Sequence, residues 1–141
     1  MLARVLMLVS AAILFALGAL HLIYTFSGPK LFPRDRALQK RMGEISPVIS
    51  KETNMWRCWV GFNASHSIGA MFYGLIYGFL AATHSSLLFT SPYLLVVGLL
   101  MVGGFVALAR AYWFRIPFVG TGMSLACYVA SLIVLLVQKF I

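Results

Sequence analysis

The chain has 141 residues, of which 62% are hydrophobic and only 10% charged. Soluble domains carry about 25% charged residues, so this composition excludes a soluble core wrapped in a hydrated surface, and the length suits one domain. The net charge is +8, from 11 Lys and Arg against 3 Asp and Glu; with no nucleic-acid recognition motif beside it, the excess reads as basic loops drawn to anionic headgroups at the ends of membrane spans.

The first element in chain order is an apolar helix over about 4–26. Val5 to Pro29 carries no charged residue, and about 20 apolar residues cross a hydrocarbon core of ~30 Å. Arg4 followed by an apolar run also has the look of a signal peptide. The run continues, however, through His21, Leu22, Ile23, Tyr24, Thr25 and Phe26. That exceeds the ~7–15 residues of a signal core, so a retained helix is expected.

The loop over 27–52 has a pattern of its own. Asp35 can cap a short helix whose apolar residues Leu38, Met42 and Ile45 recur at helical spacing, flanked by Lys40 and Arg41. Such a segment reads either as an amphipathic helix lying on a membrane surface or as an ordinary polar loop, and Pro47 ends it. Ser50 or Thr53 is then the expected cap of the second long helix, with Glu52 favourably placed near its N-terminus.

Cys58 to Ala109 is a second uncharged stretch, long enough for two helices. It breaks at Thr83-His84-Ser85-Ser86 and again at Thr90-Ser91-Pro92, polar turns followed by a proline suited to a helix start. Helices are therefore expected at about 53–82 and 91–114, with the last at about 118–138. The fold class predicted is all-α: a polytopic membrane protein, one four-transmembrane-helix bundle with a short amphipathic helix in its first loop.

Orientation follows from the basic residues. Lys30, Arg34, Arg36, Lys40, Arg41, Lys51 and Arg57 fall in or beside the first loop, and Arg110 and Arg115 in the third connection. Only Arg4 and Lys139 fall on the opposite side. Lys and Arg concentrate in cytoplasmic loops, so loops 1 and 3 are expected to be cytoplasmic and both termini outside.

Polar residues within spans are informative because each must be satisfied inside the bilayer. With that topology His21 lies roughly 8 Å from the cytoplasmic end of its helix, and Asn63 and His66 roughly 9 and 14 Å inside from Arg57. The polar groups of three helices thus converge on the cytoplasmic half, and nothing comparable is expected in the outer half. Asn63, His66, Ser67 and Ala70 share one face by spacing, and Tyr73 and Tyr77 extend it. Ala11, Leu14, Gly18, His21 and Thr25 form the inward stripe of the first helix, which would bring His21 toward Asn63 and His66.

These residues carry two readings each. His66 is the candidate catalytic group, an acid or base, with Asn63, Ser67 and His21 binding a polar head and Arg57, Arg110 or Arg115 holding an anionic one. Alternatively Arg57, Trp56 and Trp59, and likewise Arg110, Tyr112, Trp113 and Arg115, are interfacial anchors. Gly61, Ser65 and Gly69 form a small-xxx-small packing ridge, Gly74 and Gly78 extend that packing character as a GxxxG, and Gly120, Ser124, Cys127 and Ser131 form a similar stripe on the last helix. Gly98, Gly103 and Gly104 give the third helix the same character. His84 reads as an exposed turn residue.

Other chemistries find less support. All three acids, Asp35, Glu44 and Glu52, lie in the first loop, which argues against proton relays and cation transport. No metal site is expected, because no His/Cys cluster has ligand spacing, and Ser65, His66 and Ser67 cannot make a triad on one helix. Cys58 and Cys127 are expected too far apart for a disulfide and to be small buried residues.

The expected function is binding or transformation of a hydrophobic small molecule, such as a lipid, isoprenoid or quinone, in a polar pocket open to the cytoplasm. No cofactor is specified. One alternative is a structural or accessory subunit of a larger membrane complex or homo-oligomer. In that case bulky replacements at Gly61, Gly69 or Gly74, rather than loss of a histidine, would disable it. A second alternative is b-type haem held by His21 and His66, the one plausible axial pair. Size, span number and the polar second helix together resemble small four-helix bacterial inner-membrane proteins of the DoxX-like kind. That resemblance implies a bacterial inner membrane with membrane lipids as neighbours, and carries no functional residue.

Overall fold

The structure, a computed structural model, describes residues 1–140, with side chains as far as Gln138. The side chain of Lys139, counted above on the outer side, lies outside the described residues. Among the described residues the chain is all-α, with six helices: α1 (Leu2–Phe26), α2 (Arg36–Glu44), α3 (Met55–Thr83), α4 (Ser85–Thr90), α5 (Pro92–Tyr112) and α6 (Arg115–Phe140).

Three helices are long and apolar enough to cross a membrane: Leu2–Phe26, Pro92–Tyr112 and Arg115–Gln138. At 29 residues α3 is the longest helix. It is not among those three, and carries Asn63, Ser65, His66 and Ser67 in its first half and tyrosines beyond.

Local chemistry sets the helix ends. After α1, Gly28 adopts φ 83°, a left-handed conformation that costs glycine little because it lacks Cβ. Asp35 caps α2 by accepting from the Ala37 N–H at 2.8 Å. Ser91 caps α5 by accepting from the Leu94 N–H at 3.3 Å, with Pro92 at the helix start.

Three sequence expectations need correction. The residue capping α3 is Asn54, whose Oδ1 accepts from the Arg57 N–H at 2.9 Å. Thr53 lies one residue too early for this geometry, and the Ser50 hydroxyl instead accepts from the Glu52 N–H at 3.1 Å. The polar segment between the second and third long helices is not plain turn but holds α4, from which Leu88 is fully buried. Finally, α6 begins at Arg115 rather than near 118, because Pro117 is accommodated in a first turn whose N–H groups have no helical acceptor. Asn54→Ala is accordingly expected to lower stability by about 1 kcal/mol, as cap removals do, whereas Thr53→Ala leaves it nearly unchanged. Thermal unfolding of the two variants in detergent checks this.

The chain divides into two compact units. The first comprises Met1–Leu17 and the chain from Ala70 onward. Within it α6 runs antiparallel to α1: the Ser124 hydroxyl donates to the Ser10 carbonyl at 2.9 Å, and the Ser131 hydroxyl to the Ala3 carbonyl at 2.8 Å. The second half of α3 is antiparallel to α1 too. Ser10 bonds Tyr73 at 3.2 Å, the Arg4 guanidinium donates to the Ala82 carbonyl, and Gly74 lies directly against Ala11 and Phe15.

The middle of this unit holds stacked tyrosines. Tyr73 and Tyr77 stack at 4.6 Å between centroids, and the Tyr128 ring lies 6.3 Å from that of Tyr77. The Tyr77 and Tyr128 hydroxyls donate to the Leu94 and Leu95 carbonyls at 2.6 and 2.7 Å. Buried Met7, Leu14 and Val102 complete the core. This corrects the expectation that nothing comparable to the convergence around Asn63 and His66 occurs in the other half of the long helices. Ser10, Tyr73 and Ser124 form a buried hydroxyl network there. Hydroxyls enter an apolar interior at low cost when they meet each other or a helix carbonyl.

The second unit is Gly18–Gly69. It contains the end of α1, the loop with α2, and the start of α3. The loop is tied to α3 at two places: the Trp59 indole N–H donates to the Leu31 carbonyl at 3.0 Å, and Phe32 packs edge-on against Trp56 at 4.8 Å. Helix α2 itself buries no residue. Cys58 and Cys127 are free, and each is half-buried rather than fully enclosed.

Candidate functional site

Within the Gly18–Gly69 unit, α1 and α3 bring together three of the polar residues singled out by spacing. Asn63 is buried and Ser67 fully so; His21 and His66 are half-buried. On α1 Gly18 and Thr25 are buried as well.

The amide of Asn63 organises the cluster. Its Nδ2 donates to the Trp59 carbonyl at 2.7 Å, which orients the side chain, and its Oδ1 lies 3.0 Å from His21 Nε2. An amide oxygen only accepts, so neutral His21 carries its proton on Nε2 and has its basic lone pair at Nδ1. The His66 ring meets the His21 ring edge-on, with centroids 5.6 Å apart. Thr25 and Ser67 do not join the cluster through their hydroxyls. They donate to the His21 and Asn63 carbonyls, each at 2.8 Å, one helical turn back on their own helices. Each hydroxyl proton is therefore committed to its own helix, and the lone pairs remain as acceptors.

The arginines are placed differently. Arg57 is exposed in the first turn of α3. Arg110 and Arg115, also exposed, belong to the other unit, where they line an open hollow of about 380 Å³ together with Ala109, Trp113, Phe114 and Phe118. His84 is exposed, with Nδ1 2.7 Å from the Thr83 hydroxyl. Among the described residues no group of three or more His, Cys, Asp or Glu is arranged to hold a metal ion.

This geometry bears on the haem alternative. Axial ligation needs a nitrogen of each imidazole directed at one iron between them. Here His21 Nε2 is engaged by Asn63, Nδ1 keeps its lone pair and the two rings touch edge-on, so an iron between them would require the rings to part.

No family model, no curated protein and no solved structure matches the chain. The site is therefore read from its own chemistry.

Sequence reasoning passed over Ser10 and Tyr128, both fully buried polar contributors to the other unit. A signal for them existed. A tyrosine in the middle of an apolar helix must find an acceptor, and Tyr128 lies between Cys127 and Val129 in the most apolar part of α6.

Proposed function

We propose that the chain is a four-span integral membrane protein that binds the polar head of a hydrophobic small molecule, a lipid, isoprenoid or quinone, at the His21–Asn63–His66 cluster. Support for α3 as the fourth span comes from its contacts. It runs antiparallel to α1 through Ser10–Tyr73 and Gly74–Phe15, and α1 is long and apolar enough to cross a membrane. The part of α3 beside it must share its depth. With four spans the first and third loops lie on one side, and their basic residues make that side the cytoplasm. Both termini are then outside. Helix α2, which buries nothing, lies along the surface of that leaflet. The DoxX-like resemblance makes the membrane a bacterial inner membrane.

The observation that carries the binding reading is the cluster itself: two imidazoles in contact, one of them bonded to a buried amide, on helices of a membrane protein. Such groups are costly in a bilayer interior unless used or paired. A neutral imidazole offers one donor and one acceptor, which suits a ligand whose head carries a hydroxyl or carbonyl and whose tail is apolar. If the ligand is transformed, His66 is the acid or base.

Native mass spectrometry from mild detergent tests this. The wild type is expected to retain a discrete bound mass that His66→Ala loses, and that mass identifies the ligand as quinone, isoprenoid, phospholipid or haem. No bound mass in either sample, or the same mass in both, would sink the proposal in favour of an accessory subunit. One feature favours that second reading. Gly61 and Gly69 have open space where a Cβ would stand, so the small-residue ridge they form with Ser65 remains available to another helix. Gly74 is already used inside the chain and does not discriminate.

A further inference from the structure

The loop joining α1 to α3 ends in an unusual excursion. The Met55 N–H donates to the Ile45 carbonyl at 2.8 Å and closes its neck. Beyond the neck the chain turns at Pro47–Ser50, where the Ser50 N–H donates to the Pro47 carbonyl at 3.3 Å. The two residues at the tip of this turn are Val48, fully exposed, and Ile49, 93% exposed. Turn tips are ordinarily Gly, Asn, Asp or Ser, whose backbones and side chains suit them; adjacent β-branched aliphatics gain nothing locally there. Leu38 and Ile45 nearby are also exposed, at 50% and 43%. Along the same loop Arg34, Arg36, Lys40, Arg41 and Lys51 are all exposed.

We infer that the Val48–Ile49 tip is a membrane wedge, inserted into the bilayer interface beside the spans and selective for anionic lipid. The inference rests on the membrane reading above and adds a docking surface to it. The occupant follows from three features. The excursion is tethered between α1, which is long and apolar enough to cross a membrane, and α3, so a bilayer surface is close by. Seven basic residues against three acidic ones between Lys30 and Arg57 complement anionic headgroups, which attract Lys and Arg near the surface. The neck closes on the Met55–Ile45 bond and leaves both tip side chains exposed. An apolar tip on a basic loop fits the headgroup–acyl boundary, where aliphatic groups leave water and cations remain among phosphates.

The test uses the full chain with Cys58→Ser and Cys127→Ser as background. A single environment-sensitive fluorophore is attached at Ile49→Cys or, as reference, at Leu100→Cys, an exposed position in the apolar part of α5. Vesicles are phosphatidylcholine alone or an equimolar mixture with phosphatidylglycerol. The label at 49 is expected to show blue-shifted emission and quenching by acyl-chain nitroxide lipids, several-fold stronger in the anionic vesicles. Water-like emission at 49 with lipid quenching at 100 overturns the wedge and leaves the membrane reading standing. Water-like emission at both positions overturns the membrane reading as well. Equal quenching at 49 in both vesicle types overturns the selectivity for anionic lipid.

Discussion

Gly74→Ala is expected to destabilise the protein by about 1–3 kcal/mol, the usual cost of overpacking a close-packed contact. The Cβ it adds would stand 2.5 Å from Phe15 Cβ and 2.7 Å from the Ala11 carbonyl oxygen. One of those obstacles is backbone, so no rotamer change relieves the clash, and α3 must move away from α1. The displacement would also strain the Ser10–Tyr73 hydrogen bond, which joins the same pair of helices. Gly61→Ala on the same helix provides the contrast. Nothing lies within 4 Å of its added Cβ, and alanine is the better helix former, so stability should be unchanged or slightly higher. Thermal unfolding of both variants in one detergent measures the difference. Equal melting of Gly74→Ala and wild type would mean that α1 and α3 do not approach as closely as described.

Asn63→Leu is expected to cost about 1–3 kcal/mol, because it leaves the His21 Nε2–H without its acceptor in a low-dielectric interior. The Ser67 hydroxyl is unaffected, since it bonds the Asn63 main-chain carbonyl. His21→Phe should incur a similar cost by stranding the Asn63 amide oxygen. The double variant replaces both partners by apolar groups and should recover much of the loss, because removing both ends of a buried hydrogen bond is cheaper than removing one. A double-mutant cycle on melting reports this coupling. Strictly additive losses would show that the His21–Asn63 bond contributes nothing and would leave the cluster without an organising contact. If the cluster binds a ligand, the bound mass should be absent from Asn63→Leu even where the fold survives. That outcome separates ligand binding from simple stabilisation.

Gly61, Ser65 and Gly69 share one face of α3, whereas at 3.6 residues per turn Gly74 and Gly78 fall on the other side of the wheel, with the buried Asn63, Ser67 and Ala70. In the structure Gly74 takes a tight contact, Gly78 an ordinary one with Ala11 at 3.7 Å, and Gly61 and Gly69 none. Likewise Gly98 lies against Tyr77 and Tyr128, while Gly103 and Gly104 face open space. A small residue permits close approach where its face meets a neighbouring helix: Gly74 and Gly78 lie on the inward side of α3 and meet α1, and Gly61 and Gly69 lie on the other side and meet nothing within 4 Å.

By itself the sequence determined the helical class, the long apolar helices, the capping of α2 by Asp35, and the shared face of Asn63, His66, Ser67 and Ala70. Those features depend on residues near one another along the chain, where helical periodicity, hydropathy and capping chemistry act directly. Only the tertiary structure decided that His21 bonds Asn63 and touches His66, that Ser10, Tyr73 and Ser124 share one network, and that Val48 and Ile49 project from a closed neck. Each of these depends on the register between segments distant in sequence. Periodicity names the face a residue occupies and leaves open which residue stands opposite it, and side-chain packing between helices settles that pairing.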